Sequence, residues 1–440
     1  MVEVRRIHVK TWGCQMNELD SQRLAGHFVQ AGWEIALSEQ NADLVILNTC
    51  SVREKAEEKI FAYLGRLKQW KSAAPSRRIV VAGCVAQQYR DSLLNRAPHV
   101  DLVIGPAQID HILNHLETLD PLASTHLSDD ITYDYETIYR SGTHTALLTV
   151  IEGCNMFCSF CIVPYTRGRE RSRPVESILT EIHALVESNR TDIMLLGQTI
   201  NAYQCPETGT NFDGLLERAA RVPGLKCLKF VTSHPKLFTQ DMIDTVAGHP
   251  NISRYLHLPV QSGSNAILTR MNRKYTRNEY LDLLSRLRDK IPDAVLSSDM
   301  IVGFPGETEE DHEQTLDLIQ KARFATLFAF KYSPRRGTTA AKVNDDVAPE
   351  IKDKRLADVI RIQDEIQAEI NQALVGTTLT VLVEGQSRKD PSRWSGRSHC
   401  NRVVNLVDIN SDIGPGSWID VEITRAHAHS LSGRRVPQNR

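Results

Sequence analysis

Three cysteines lie close together near the middle of the chain: Cys154, Cys158 and Cys161. They directly follow an apolar run, residues 145–151, that predicts a β-strand. Thiolates at this spacing on one loop can hold three corners of a cubane iron–sulfur cluster, whose closed form takes four cysteine ligands. Because the next cysteine is Cys205, the fourth iron would lack a nearby protein ligand. An open iron can bind a small molecule and pass it an electron, so the loop predicts chemistry.

A zinc site or a set of structural thiols is the alternative for this loop. Structural zinc sites take four ligands, and the closely spaced second pair of cysteines that usually completes them is missing here. The spacing therefore favours the iron–sulfur interpretation. Cys205, Cys227 and Cys400 have no companion at ligand spacing, and we expect them to be structural or incidental.

A second set of three cysteines lies in the N-terminal part of the chain. Cys14, Cys50 and Cys84 are 36 and 34 residues apart, and each follows a predicted strand. The carboxyl ends of neighbouring parallel strands lie side by side, so these cysteines should meet at one edge of a sheet. Gly13 and Gly83 precede two of them, as expected where the backbone approaches another group closely. The alternative is three unrelated buried cysteines, since free cysteine is among the most buried residue types.

Strands and helices alternate over most of the chain, which predicts an α/β fold with parallel sheets. We expect an N-terminal parallel-sheet domain over residues 1–121, followed by a linker over residues 121–139. Its predicted strands are residues 6–11, 43–48, 78–82 and 100–104. A long charged helix over residues 350–374 precedes a third domain, residues 375–440, whose predicted short strands are 378–384, 402–407 and 417–423. Short strands of this kind predict a small β-barrel, a fold that often binds nucleic acid.

The middle domain, residues 140–372, contains six predicted strand–helix units, which fit a full or partial (β/α) barrel. Its predicted strands are residues 145–151, 191–196, 226–231, 255–258, 295–302 and 325–330. Catalytic groups of such barrels lie at the C-terminal ends of the strands. The cysteine loop, Gln198, Gln261 and Gly303 all follow predicted strands, so the sequence predicts a site at that end of the barrel.

Composition bounds the class of protein. The chain has 440 residues, of which 41% are hydrophobic and 24% charged, as in ordinary globular proteins. No apolar run has the roughly 18 residues of a membrane helix, and no signal sequence is evident, so we expect a cytoplasmic protein. The net charge of −2 excludes a protein that is basic overall, although residues 376–440 carry +3 and the remainder −5. A basic module suits a phosphate-rich partner.

These residues together resemble a known family. A Cys-x-x-x-Cys-x-x-Cys loop after the first strand of a barrel is the signature of radical S-adenosylmethionine (SAM) enzymes. With an N-terminal three-cysteine domain and a C-terminal TRAM-like module, the chain resembles the methylthiotransferases over nearly its whole length. Residues 11–21, 48–59 and 161–173 resemble the branch of that family that modifies tRNA. The resemblance implies addition of a methylthio group to carbon 2 of N(6)-dimethylallyladenosine at tRNA position 37, next to the anticodon.

The resemblance also implies the cofactors and their ligands. Two [4Fe-4S] clusters and SAM are expected, with Cys154, Cys158 and Cys161 holding the cluster that binds SAM. Cys14, Cys50 and Cys84 would hold an auxiliary cluster that provides sulfur. The residues expected to contact SAM are Gln198, Asn201, Gln261, Asp299 and Gly303. For Gln198 and Asn201 an ordinary polar loop end is the alternative, and residues 197–201 and 333–339 depart slightly from the family pattern.

RNA contacts are expected in two regions. Arginines alternate just beyond the cysteine loop at Arg167, Arg169, Arg171 and Arg173, where the alternative is a solvated basic loop. In the C-terminal module charge and an aromatic side chain combine, a mixture suited to RNA backbone and bases. The residues concerned are Arg388, Lys389, Arg393, Trp394, Arg397 and Arg402. Plain surface charge is the alternative for each of them.

The expected partners are the anticodon stem-loop of tRNA and an electron donor such as a flavodoxin or ferredoxin, with the enzyme acting as a monomer away from membranes. One alternative, in the same chemical class, is modification of a ribosomal protein or of another tRNA base. A second alternative is a non-catalytic RNA-binding or iron–sulfur carrier protein.

Overall fold

The computed structural model describes residues 4–51, 54–117, 121–128, 134–140, 144–387, 393–407 and 413–437. In these ranges an N-terminal parallel sheet is followed by a partial barrel and a small closed β-barrel. The predicted α/β fold class is therefore confirmed. Two of the predicted RNA contacts, Arg388 and Lys389, lie outside the described residues. No helix within the described ranges has the length and apolar composition needed to cross a membrane.

Strands and helices alternate in the described N-terminal part of the chain. They are β1 (Arg6–Trp12), α1 (Gln15–Gln30), β2 (Glu34–Ile35), β3 (Leu44–Thr49), α2 (Glu54–Ser72), β4 (Arg78–Gly83), α3 (Cys84–Tyr89), α4 (Asp91–Arg96), β5 (Leu102–Ile104), α5 (Ile112–Leu116) and β6 (Leu122–Ser124). The strands form one parallel sheet in the order β2-β1-β3-β4-β5-β6. Strand β3 is buried along its whole length, because a parallel sheet is covered by helices on both faces.

Strand β6 corrects one prediction. Residues 121–139 were expected to be a linker, yet Leu122–Ser124 pairs with β5 as an edge strand of the sheet. Three residues are too few to show a hydrophobic period, and the pairing partner supplies the hydrogen bonds that fix the strand.

The middle part forms a partial barrel. Its described elements are β7 (Thr145–Thr149), β8 (Ile151–Glu152), α6 (Val163–Thr166), β9 (Arg171–Ser172), α7 (Val175–Glu187), β10 (Asp192–Leu196), α8 (Phe212–Ala220), β11 (Cys227–Phe230), α9 (Gln240–Gly248), β12 (Tyr255–His257), α10 (Asn265–Arg270), α11 (Arg277–Lys290), β13 (Val295–Val302), α12 (Glu309–Ala322) and β14 (Thr326–Lys331). All six predicted barrel strands are present. They form two parallel sheets, β11-β10-β7 and β12-β13-β14, with a bridge from Leu228 to Ile252 between them.

The C-terminal part begins with a long helix and ends in a closed barrel. The elements are α13 (Pro349–Gln372), β15 (Thr378–Gln386), β16 (Trp394–Ser398), β17 (Val403–Val407), β18 (Trp418–Ala426) and β19 (Leu431–Arg435). The described strands close in the order β15-β16-β17-β19-β18. Three of them were predicted. Strands β16 and β19 were missed because serine, glycine and arginine dominate both, and neither shows apolar alternation.

The two outer domains contact different ends of the partial barrel. Met16 and Leu19 of α1 pack against Met194 and Leu196, which lie toward the C-terminal end of β10. The closed barrel instead contacts the starts of the strands: the Trp418 indole donates to Thr191 Oγ1 at 3.2 Å, one residue before β10. The N-terminal domain therefore lies nearer the end of the barrel where a site was predicted.

Glu181 on α7 is a buried charge that two arginines share. Its carboxylate accepts hydrogen bonds from Arg140 at 2.5 Å and from Arg173 at 2.7 Å, and its side chain is 1% exposed. The pairing fixes α7 against the segments that flank the first barrel strand. A buried ion pair is expensive to break, because the remaining charge stays in a medium that cannot solvate it.

Replacing Glu181 by alanine is expected to lower the free energy of unfolding by about 3–5 kcal/mol, because both guanidinium groups lose their buried carboxylate. Urea denaturation followed by circular dichroism measures this loss. Glu217→Ala is the matched control: the Glu217–Arg221 pair lies on the surface and should contribute less than about 1 kcal/mol. Equal losses in the two variants would contradict the structural role given to Glu181.

Candidate metal centres

The cysteine loop of the barrel is closed at its base by a short antiparallel pair. Strand β8 pairs with β9, and the Cys154 amide donates to the Gly168 carbonyl at 3.1 Å. Gly153, with φ at +79°, allows this approach, because a Cβ there would lie 2.0 Å from the Arg169 carbonyl oxygen. The loop therefore holds its cysteines at the C-terminal end of β7, the first barrel strand.

Two thiols of this loop have specific polar partners. Cys154 Sγ lies 3.0 Å from Thr199 Oγ1, and Cys158 Sγ accepts a hydrogen bond from Arg273 Nη1 at 3.2 Å. Burial raises the pKa of the Cys154 thiol, and it raises the pKa of Cys161 to about 12. The Cys154 and Cys161 thiols are thus protonated at neutral pH, and iron must displace their protons on binding.

Sequence reasoning missed Arg273. Its guanidinium is buried and donates to the Pro259 carbonyl at 2.6 Å and the Tyr275 hydroxyl at 3.0 Å, as well as to Cys158. These anchors aim one N–H group at the thiol. No spacing signal could have found it, because Arg273 is 115 residues from Cys158 in the chain.

The second cysteine set lies at the edge of the N-terminal sheet. Cys14 precedes α1, Cys50 follows β3 and Cys84 begins α3. Strands β1, β3 and β4 are neighbours, and their register places Trp12, Thr49 and Gly83 level with one another. The three cysteines therefore lie side by side at the ends of adjacent strands. Their contact is direct for one pair: the Cys50 thiol lowers the pKa of Cys14 to about 6.

Arg167 links the two cysteine sets. It follows the cysteine loop of the barrel, yet its guanidinium lies in the N-terminal domain, 2.5 Å from the Asp20 carboxylate, with the side chain 3% exposed. Burial raises the pKa of the Cys84 thiol, and the neighbouring Arg167 cation acts in the opposite direction. The loop that carries one set therefore reaches the other set directly.

The donor atoms fit iron–sulfur clusters better than a single ion. Thiolates are the ligands that such clusters take, and each set has a buried arginine beside one thiol to balance negative charge. Among the described residues no three His, Cys, Asp or Glu side chains are close enough to share one metal ion. A cubane cluster holds its irons at separate corners, so its cysteine ligands need not converge on one ion.

The residues expected to contact SAM have different surroundings. Gln198 Oε1 accepts from the Gly153 amide at 2.5 Å, while its buried Nε2 has no partner among the described residues. Asp299 is partly exposed, with its carboxylate 3.6 Å from His257 Nε2. Both keep polar atoms available in the barrel.

The other three expected contacts act through the backbone or are engaged elsewhere. Both amide atoms of Asn201 bond the backbone of His234, at 2.9 and 2.8 Å, so the side chain positions that loop, and its contact with SAM stays a prediction. Gln261 lies in the segment after β12, and its backbone forms an isolated bridge to Met300 of β13. Gly303 packs on Lys352, whose side chain a Cβ would approach to 2.3 Å.

The expected RNA contacts beyond the cysteine loop need a second correction. Arg167 and Arg173 are buried and ion-paired, with Asp20 and Glu181, so they cannot reach RNA phosphates. In the sequence the alternating charges resemble those of an exposed loop. The carboxylates that pair with these two arginines, however, lie in other elements of the structure. Arg171 is mostly buried beside Glu152. Arg169 is exposed, with its guanidinium 4.6 Å from the Phe157 ring centroid.

The described residues of the C-terminal barrel are better placed for RNA. Arg393 is exposed, and Arg397 and Arg402 are partly exposed. Arg397 pairs with Glu384 at 3.1 Å, and Arg402 donates to Asn371 Oδ1 at 2.9 Å. Trp394 packs against the apolar core of the barrel and shows only part of its ring to solvent.

Three family models match consecutive parts of the chain. Residues 6–105 match Uncharacterized protein family UPF0004, residues 148–319 match the Radical SAM superfamily, and residues 372–436 match the TRAM domain. Among solved structures, the radical SAM methyltransferase TsrM from Kitasatospora setae, with cobalamin and a [4Fe-4S] cluster bound, aligns with a TM-score of 0.54 at 13% identity. The alignment covers 86% of this chain and 80% of that chain, and it supports the fold.

Curated relatives extend over nearly the whole sequence. The tRNA-2-methylthio-N(6)-dimethylallyladenosine synthase of Thermodesulfovibrio yellowstonii is 42% identical over 430 residues, covering 98% of each chain. The synthase of the same name from Burkholderia multivorans is 44% identical over 446 residues, covering 98% of this chain and 97% of its own. The chain belongs to the tRNA-2-methylthio-N(6)-dimethylallyladenosine synthase family of radical SAM methylthiotransferases.

Proposed function

We propose that the protein adds a methylthio group to carbon 2 of N(6)-dimethylallyladenosine at tRNA position 37, next to the anticodon. The observation that supports the proposal is that Arg167, which follows the cysteine loop of the barrel, reaches across the domain interface and lies beside Cys84 of the other cysteine set. Sulfur insertion at an unactivated carbon needs one group that generates a radical and another that presents sulfur. Two adjacent cysteine sets supply a place for each.

When bound, two [4Fe-4S] clusters and SAM supply the radical, the sulfur and the methyl group for this chemistry. Cys154, Cys158 and Cys161 would hold the cluster that binds SAM. The auxiliary cluster would be held by Cys14, Cys50 and Cys84. Each set offers three thiolates, which leaves one corner of each cubane open. Gln198 and Asp299 have polar atoms available to orient SAM in the barrel.

Arg273 positions the Cys158 thiolate. Pro259 and Tyr275 accept hydrogen bonds from two of its other N–H groups, which holds the guanidinium against the sulfur. Hydrogen bonds to ligand sulfurs help to set the reduction potential of iron–sulfur clusters. A fixed cation beside the thiolate favours the more negative, reduced state of a cluster held there.

The C-terminal barrel is the proposed RNA-binding module, with the anticodon stem-loop of tRNA as its partner. Its residues carry a net positive charge of +3, and Arg393, Arg397 and Arg402 reach its surface. Arg169 adds a cation near the cysteine loop. We also propose that the enzyme is a cytoplasmic monomer that receives electrons from a donor such as a flavodoxin or ferredoxin.

The proposed product is tested by nucleoside mass spectrometry of tRNA from a strain that lacks the gene. We expect 2-methylthio-N(6)-dimethylallyladenosine to disappear and N(6)-dimethylallyladenosine to accumulate, with recovery when the gene is restored. Persistence of the methylthio nucleoside in a strain without another methylthiotransferase gene would refute the proposal. Loss of a different modified nucleoside would favour another tRNA base as the substrate.

Alanine variants of the two cysteine sets should separate two activities. Reconstituted anaerobically, the wild type should hold about eight irons per chain. Cys154→Ala should retain about half of that iron and lose SAM cleavage to 5′-deoxyadenosine, because its remaining cluster is the auxiliary one. Cys50→Ala should also retain about half of the iron, but it should still cleave SAM and should no longer form the methylthio product.

Cys205→Ala is the matched control, since Cys205 is buried but belongs to neither set, and wild-type iron content is expected. Intact methylthio transfer by Cys50→Ala would show that the division of roles is incorrect.

Arg273→Met should shift the midpoint potential of the SAM-binding cluster to more negative values, because the N–H donor and its charge are lost. Potentiometric titration followed by electron paramagnetic resonance, in a Cys50→Ala background that isolates this cluster, provides the measurement. Arg273→Lys should bring the midpoint potential part of the way back to the wild-type value. Lysine keeps the positive charge but cannot form the same set of hydrogen bonds as the guanidinium. An unchanged potential in the methionine variant would show that Arg273 only supports the fold.

A further inference from the structure

A cavity of about 550 Å³ lies along one edge of the partial barrel, between β14, α13 and the C-terminal barrel. Among the described strands β14 pairs with β13 alone, so its other edge faces this cavity without a partner strand. The volume falls within the range of about 300–1,000 Å³ typical of small-molecule sites. It is large enough for a substituted purine base.

Two phenylalanines form an aromatic wall of this cavity. Alternate residues of a strand point to opposite faces, and Leu327 and Ala329 pack against the apolar core of the barrel domain. Phe328 and Phe330 therefore project from the other face, and each is 44% exposed. Two large aromatic side chains exposed side by side on one strand are typical of a surface that binds a ligand.

The aromatic wall continues toward the site at the C-terminal strand ends. The Phe328 ring contacts the His257 ring with centroids 6.0 Å apart, and His257 lies 3.6 Å from Asp299. Phe330 lies two residues further along β14. The segment that follows β14 reaches the cysteine loop, where the Ala340 amide donates to the Ser159 carbonyl at 2.8 Å. Strand β14 and the segment that follows it therefore connect the cavity to the cysteine loop.

The opposite rim of the cavity carries two guanidinium groups, whose charge is partly offset by Asp364 of the lining and by the Glu384 partner of Arg397. Arg397 and Arg402 of the C-terminal barrel line it, and Asn371 of α13 orients Arg402 through a hydrogen bond of 2.9 Å. Guanidinium groups bind phosphate oxygens well, and exposed aromatic rings stack on bases. The cavity therefore offers a phosphate-binding rim, an aromatic wall and a path to the cysteine loop, in that order.

We propose that this cavity receives the target adenosine of the RNA, with Phe328 and Phe330 contacting the base and its five-carbon apolar substituent while Arg397 and Arg402 hold a neighbouring phosphate. The inference rests on the proposed function and adds the residues that recognise the substrate. Transfer of the dimethylallyl group from water to an aromatic surface is favourable. The wall therefore selects dimethylallylated adenosine over plain adenosine, and binding to Phe330 directs the base toward the cysteine loop.

The test compares two anticodon stem-loop RNAs that differ only in the dimethylallyl group on the target adenosine. Binding to reconstituted enzyme is measured by fluorescence anisotropy. The wild type should bind the dimethylallylated RNA tighter by on the order of tenfold or more, as expected for an apolar group of this size. Phe328→Ala and Phe330→Ala should bring the ratio of the two dissociation constants close to one. Phe328→Leu should keep much of the wild-type preference for the dimethylallylated RNA. Wild-type iron content in each variant shows that it is folded.

Ile351→Ala is the matched control, because Ile351 is an apolar side chain, 43% exposed, on α13 and outside the cavity lining. Its ratio should equal that of the wild type. A wild-type ratio in the Phe328→Ala and Phe330→Ala enzymes would overturn the inference, and so would an equal loss of affinity for both RNAs. Failure of the proposed function is distinguishable, because it would appear in the wild type as RNA binding without a methylthio product.

Discussion

The Arg167 guanidinium crosses from the cysteine loop of the barrel into the N-terminal domain and pairs with the Asp20 carboxylate at 2.5 Å. Both side chains are buried, and either charge left alone at this depth would be strongly destabilising. Arg23 extends the contact, since it lies 3.8 Å from Asp20 and 4.0 Å from Glu152 of the barrel domain. Charges of opposite sign therefore alternate across the domain boundary and favour one relative position of the two domains. The approach of the two cysteine sets depends on that position.

The cysteine sets share an electrostatic arrangement as well as an interface. Arg273 lies beside Cys158 and Arg167 beside Cys84, each as a buried cation next to a thiol. Burying the negative charge of a thiolate-bound cluster without a counter-charge is costly. Arginine does not lose its proton in proteins, so it supplies this counter-charge before and after metal binding. Asp20 compensates the charge of Arg167, which explains why a cation can remain buried there.

Strand positions were predictable from the sequence, whereas the partners of buried charges were not. The six barrel strands and the alignment of Cys14, Cys50 and Cys84 follow from hydrophobic runs and from the geometry of parallel sheets. Arg167 and Arg173 were misplaced on the surface, because local charge alternation carries no information about acids far away in the chain. Asp20 is 147 residues from Arg167. Such pairings are set by how domains and helices pack, which a single sequence does not reveal.

The length of the barrel strands separates the proposed chemistry from the nucleic-acid module. The C-terminal barrel contacts the starts of the strands, while both cysteine sets lie beyond their ends. Strand β14 has six residues and spans roughly 20 Å, so RNA held by the C-terminal barrel reaches the cysteines only if a nucleotide leaves its stack. An unpaired strand edge with exposed aromatic side chains can pair with another chain and lead to aggregation. Its retention beside Phe328 and Phe330 is explained if the extruded nucleotide covers that edge during turnover.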